Sequence, residues 1–177
     1  MEEVTISDVM RAFANDAVYY ANHRLNVVLD FSEASLKDID RILEDFTKGE
    51  LVLPDNLSEA HRDALWTFCK MMGGYVGEVI IRNLGGQWQT RDKGDGAVCI
   101  HLVAAGDVDS SPPDAVWRAL TEPFKGSIVS YYDTLRGVLG HGQQTTEGRG
   151  TFVRLPPLSD QPRTQGAPEK RPWWRFW

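Results

Sequence analysis

The stretch GGYVGEVIIRNLGGQW, residues 73–88, sets one carboxylate, Glu78, among five glycines and two aromatic residues. A carboxylate in closely packed surroundings can hold a ligand or serve as a general base, and Tyr75 and Trp88 bring aromatic surface of the kind that lines pockets. Asp30 lies between two apolar stretches, just ahead of a helix start. It is the second acid available to such a site, or it simply caps the helix that follows or pairs with a basic side chain. Asp30, Tyr75, Glu78 and Trp88 are therefore the ligand-binding candidates, in a small enzyme or a ligand-binding protein. For Glu78 the plainer role is favoured: Arg82, four residues on, gives an ion pair within one helix.

Thiols and imidazoles offer less. Cys69 and Cys99 could form a thiol site with His61 or His101. Cys69, however, falls on an apolar stripe, and free cysteine is often simply buried. Cys99 and His101 point the same way from one strand, which supplies two metal ligands where a closed site needs four. His23 and His141 add no recognisable spacing. Phosphate loops, nucleophile elbows and paired-cysteine or HExxH metal motifs are missing from the chain. No catalytic residue, metal or cofactor is assigned.

The C-terminal residues RPWWRFW are the least ordinary feature. Trp173, Trp174, Phe176 and Trp177 surround Arg175, with Lys170 and Arg171 just before them. Burying even two such rings stabilises by several kcal/mol at about 25 cal/mol per Å². Four rings left in water invite aggregation. They are expected to dock, on this protein's own body, on a partner protein through Trp and Arg anchors, or weakly on a membrane surface.

These groups must be positioned by a mostly helical body. Apolar residues at helical spacing predict a first helix over about 7–25, capped by Ser7 and carrying Met10, Phe13, Ala14, Ala17 and Ala21. Ser35 and Asp38 fit a capping box for a second helix, with Leu36, Ile39, Ile42, Leu43 and Phe46 behind it and Gly49 at its end. The central helix runs over 59–83 with the stripe Leu65, Phe68, Cys69, Met72, Val76, Val79 and Ile80. Glycine inside a helix costs about 0.5–1 kcal/mol relative to alanine. Gly73 and Gly77, four apart, thus predict a bare face where the first or last helix crosses. Gly85 and Gly86 end the helix.

The period then changes to two, predicting a small antiparallel hairpin over 87–103, with Asp95-Gly96 in its turn. Ser111-Pro112-Pro113-Asp114 starts a short helix bearing Val116, Trp117 and Leu120. A last helix carries Ile128, Tyr132, Leu135 and Leu139 and closes at Gly140. The fold class is α+β, with four to five helices around the central one in a single domain over 1–140. Residues 141–170 read as a flexible linker, in which TFVRL (151–155) could add an edge strand, and 171–177 as the aromatic tail.

LDFSEASLKDID together with GGYVGEVIIRNLGGQW resembles the bacterial family known as domain of unknown function 3806. The likeness rests on Leu29-Asp30-Phe31-Ser32, Ser35-Leu36 and Ile39, then Gly74-Tyr75-Val76-Gly77-Glu78-Val79 and Trp88, and spans roughly residues 10–135. It implies a small bacterial α+β domain and carries over no activity or catalytic residue.

Composition narrows the partners. Among 177 residues the net charge is -6, which argues against a nucleic-acid surface and suits a protein partner with a basic face. No apolar run approaches the roughly 20 residues of a membrane span. The acidic start MEEVTISDVM is no secretory signal, and two cysteines make no disulfide framework, so the cytoplasm is the default compartment. The leading expectation is a non-enzymatic bacterial binding module, of immunity type in one version.

Overall fold

In the computed structural model, which describes residues 3–48, 58–90, 98–102, 108–122 and 126–142, the chain is mostly helical with a small antiparallel sheet. The first helix, α1 (Ile6–Leu25), is capped by Thr5 rather than Ser7. Thr5 and Asp8 form a reciprocal capping box that satisfies two backbone N–H groups the helix cannot pair itself. Met10, Ala14, Ala17 and Ala21 are buried. Three alanines on one face let a neighbouring helix come close.

That neighbour is α3 (Glu59–Leu84), buried almost continuously from Phe68 to Ile80. A Cβ at Gly74 would lie 2.9 Å from the Met10 carbonyl oxygen. A Cβ at Gly73 would lie 2.6 Å from Pro113 Cα, in the first turn of α4 (Pro112–Thr121). The missing side chains do admit crossing backbones, but at two adjacent positions rather than on one face. The crossing at Gly73 is made by α4, not by the first or last helix. Gly77 is different again: a Cβ there would overlap the indole of Trp88. Its bareness accommodates a side chain.

Gly85 and Gly86, with φ of +82° and +97°, end α3 and turn the chain into the sheet. The strands β1 (Gln87–Thr90), β2 (Val98–Leu102) and β3 (Val108–Ser110) pair antiparallel in that order, so the expected hairpin has a third strand. The register places Trp88 opposite Ile100, and His101 opposite Asp109. Ile100 and Leu102 are buried, as expected for one face of the strand.

The second helix needs a correction at its start. Ser32 caps a 3-10 turn over Glu33–Ser35, and α2 (Leu36–Lys48) grows out of that turn. Ser35 is thus inside the turn instead of forming a box with Asp38. Its stripe of Leu36, Ile39, Ile42 and Leu43 is buried. Gly49, the expected stop, lies outside the described residues.

Ser111 makes no side-chain cap for α4; its hydroxyl donates to the Val98 carbonyl at 3.1 Å and ties the helix to β2. The last helix, α5 (Ile128–Gly142), continues past Gly140. Ser127 and Asp40 hold its start. The Ser127 hydroxyl accepts from Ser130 N–H at 3.0 Å. The Asp40 carboxylate, from α2, accepts from Ile128 N–H at 2.6 Å and Val129 N–H at 3.2 Å. Residues 141 and 142, expected to begin the linker, are the end of α5; the rest of the linker, the proposed edge strand at 151–155 and the tail lie outside the described residues.

Candidate functional site

Glu78 projects from the central helix beside Gly77, and both Glu78 and Trp88 are buried, at 7% and 5% exposure. The Trp88 indole N–H donates to Glu78 Oε1 at 3.0 Å. The chain reverses at Gly85-Gly86 and brings β1 back to α3, so the indole seats on Gly77 and reaches the acid at the next position. Among the described residues Glu78 and Arg82 form no ion pair. The favoured plain role was structural, and Glu78 does make a structural contact, but with the tryptophan.

Arg82 packs its guanidinium 3.8 Å from the centre of the Phe31 ring. Phe31 in turn stacks on Tyr75 at 4.8 Å between ring centres, with 27° between planes. The Tyr75 hydroxyl accepts from Phe31 N–H at 2.7 Å and shares a 2.6 Å hydrogen bond with the Ser35 hydroxyl. Phe31 has φ of +61°, in the left-handed region where a bulky side chain is rare. The Tyr75 hydroxyl and the two flanking groups hold it there. Burial raises the Tyr75 hydroxyl above its ordinary pKa, against the lowering effect of the Ser35 and Phe31 hydrogen bonds.

Asp30 is exposed. Its carboxylate accepts from Ser32 N–H at 2.9 Å, closing a short turn ahead of the 3-10 segment. Hydrogen bonding from Ser32 lowers its pKa below the usual value. It therefore shapes the loop before the second helix without capping α2 itself. The four candidates fall into two sets. Glu78 and Trp88 are joined directly; Tyr75 is joined to the Asp30 turn through Phe31. Among the described residues no hydrogen bond or ring contact links one set to the other.

The imidazoles of the expected thiol pairings bond other groups. The His61 ring bonds the Ser58 hydroxyl at 2.6 Å, reinforcing the start of its own helix. Cys69 is fully buried, and burial raises its thiol well above the ordinary pKa, which disfavours the reactive thiolate. His101 Nδ1 lies 2.9 Å from Asp109 Oδ1, and Gln89 donates to the same oxygen at 3.1 Å, a cross-strand network on one sheet face. Among the described residues no group of three or more His, Cys, Asp or Glu side chains could hold a metal ion.

Two positioning residues had no signal in the sequence reading. Asp40 caps a helix 88 positions away. Glu33 accepts from the Tyr132 hydroxyl at 2.6 Å and from Arg136 at 3.1 Å, fixing α5 against the 3-10 turn. These partners meet only after folding, and neither acid sits at a telling spacing.

Surface depressions remain among the described residues. A cleft of about 260 Å³ between α4 and α5 is lined by Arg118, Ser130, Tyr131 and Thr134 among others. Its hydroxyls are committed: Tyr131 bonds Ser110, and Thr134 donates to the Ser130 carbonyl. The nearby helix start offers no vacant N–H at Ile128, Val129 or Ser130, because Asp40 and Ser127 take them. A shallow groove of about 360 Å³ runs along α1, lined by Val4, Asp8, Val9, Ala12, Phe13 and Asp16.

The partner-binding candidates Trp173, Trp174, Arg175, Phe176 and Trp177 lie outside the described residues. Among the described residues no helix is long and apolar enough to cross a membrane. Comparison with family models, curated proteins and solved structures finds no match to this chain.

Proposed function

We propose that this chain is a non-enzymatic bacterial protein-binding module, working in the cytoplasm, whose aromatic tail supplies the anchoring rings. The observation that carries the reading is the buried contact of Glu78 with Trp88. The acid best placed for chemistry is spent on holding the sheet to the central helix, and Asp30 is spent on its own turn. The chemistry-bearing side chains thus serve the fold, while Trp173, Trp174, Phe176 and Trp177, with Arg175 among them, are of the types that dominate binding hot spots. A net charge of -6 complements a basic partner face, the immunity-type version of the reading.

The test is affinity capture with the full chain and with a full-length variant carrying Trp173→Ala, Trp174→Ala, Phe176→Ala and Trp177→Ala. A captured protein is then purified and its binding remeasured at two salt concentrations. Retention by the parent, loss in the variant and weakening with salt support the module. Equal retention by both removes the tail from the account, and a chain that binds no protein removes the class. Lys170, Arg171 and Arg175 beside tryptophans also favour an anionic membrane surface. Tail-dependent sedimentation with vesicles containing phosphatidylserine, without a protein partner, would put that reading first.

A further inference from the structure

The groove along α1 sets exposed valines beside acidic side chains, the complement of the tail's rings and arginines. Val4, just ahead of the Thr5 cap, is 75% exposed, and Val9, on the helix, 39%. Every charged residue lining the groove is acidic: Asp8 and Asp16. Arg11 lies 3.9 Å from Asp8, outside the lining. The tail carries the opposite pattern, aromatic rings between Arg171 and Arg175.

The spacing agrees as well. Asp16 lies eight positions beyond Asp8, a rise of about 12 Å at 1.5 Å per residue. Arg175 lies four positions beyond Arg171, about 13 Å in an extended course. In that course Arg171, Trp173, Arg175 and Trp177 share one side, because side chains alternate. Both guanidinium groups can then meet both carboxylates while Trp173, between them, covers Val9 and Ala12. The 28 residues over 143–170 reach about 90 Å when extended, so the tether does not restrict the site.

We propose that residues 171–177 of this chain dock in extended form along the α1 groove, with Arg171 and Arg175 against Asp8 and Asp16. This rests on the reading of the tail rings as anchors and names where they anchor when no partner is bound. Tethering raises the local concentration of the tail into the range where such a small contact is occupied.

The experiment uses the full chain with labelled valine, leucine, isoleucine and alanine methyl groups. Its NMR spectrum is compared with that of the four-alanine tail variant. The Val4, Val9 and Ala12 methyls are expected to carry ring-current shifts that vanish in the variant and do not change on dilution. The peptide RPWWRFW added to the variant should restore them. Asp16→Lys should also abolish them, and combining it with Arg171→Glu or Arg175→Glu should bring them back in one of the two combinations, which gives the direction of the tail. Shifts that appear at other methyls overturn the α1 site while leaving the anchoring reading intact. Shifts that fade on dilution overturn docking within one chain in favour of a second copy. Identical spectra for parent and variant overturn the site, and with no tail-dependent capture of a partner they overturn the anchoring reading too.

Discussion

The indole N–H of Trp88 donates to Glu78 Oε1 at 3.0 Å, and the same ring occupies the space that a Cβ at Gly77 would need. One tryptophan thereby explains both a glycine and an acid in the middle of the longest helix. Gly77→Ala sets two effects against each other. Alanine raises helix propensity by about 0.5–1 kcal/mol, while the clash with a buried ring costs about 1–3 kcal/mol. Net destabilisation is expected, read as a lower urea midpoint. Trp88→Leu in the Gly77→Ala background should recover part of that clash. Equal effects of Gly77→Ala with and without Trp88 would mean that the ring is not what excludes the methyl.

Glu78 and Trp88 also predict a coupling. Trp88→Phe keeps most of the apolar ring but leaves a buried carboxylate oxygen without its donor, at about 1–3 kcal/mol. Glu78→Gln keeps an acceptor in place and should cost less. The double variant should lose less than the sum of Trp88→Phe and Glu78→Ala, by about 0.5–3 kcal/mol. Strict additivity in chemical denaturation would dissolve the pair and reopen Glu78 as a residue held for ligand chemistry.

How far the sequence reaches is visible in these same residues. Periodicity placed the helices, because a buried stripe such as Leu36, Ile39, Ile42 and Leu43 repeats with the helical turn itself. It paired Gly77 with Gly73 and Glu78 with Arg82, neighbours along the helix, rather than with Trp88. It missed that the glycine makes room for a ring, because which object fills a gap depends on where the chain returns. The third strand was missed because Val108–Ser110 is only three residues long, too short to show a period. Ser7 and Thr5 are both good caps by type, and only the reciprocal bond with Asp8 singles out Thr5. The pairing of Asp40 with the start of α5 is a relation of tertiary geometry with no local signature.

Asp40 therefore offers a test of a long-range cap. Asp40→Ala removes the acceptor for Ile128 and Val129 N–H and a negative charge from the positive end of a helix. A loss of about 0.5–2 kcal/mol is expected. Amide exchange should quicken first at Ile128 and Val129. If exchange quickens uniformly over the molecule instead, the carboxylate supports the fold by some route other than this cap.

Tyr75 holds the strained Phe31 turn through a hydroxyl that serves two partners. Tyr75→Phe preserves the stack with Phe31 but strands the Phe31 N–H and the Ser35 hydroxyl, at about 1–3 kcal/mol. Phe31→Gly relieves the backbone strain yet removes the ring between Tyr75 and Arg82. It is expected to destabilise, because lost packing of an aromatic ring, about 3–5 kcal/mol on truncation of a core residue and less for a half-buried one, exceeds strain of about 1–3 kcal/mol. Stabilisation by Phe31→Gly would show that strain dominates at this turn.

Acid should loosen the start of α1. The Asp8 carboxyl is held below its ordinary pKa first by the Thr5 hydroxyl and then by the Thr5 N–H. A lowered folded value means that the ionised form is the one the native state favours. Its stabilisation is complete above the unfolded value of about 3.9 and is lost as pH falls through the lower folded one. Asp8→Ala should therefore be less stable than the parent by a constant margin near neutrality, and the margin should shrink below about pH 4. Asp8→Asn keeps a capping side chain without the titration, so its own stability should lack this acid-dependent component. The measurement is urea denaturation of all three proteins followed by far-ultraviolet circular dichroism from pH 7 to pH 2. Should the margin between the parent and Asp8→Ala stay the same throughout, the carboxylate is not what secures the first turn, and Thr5 caps α1 alone.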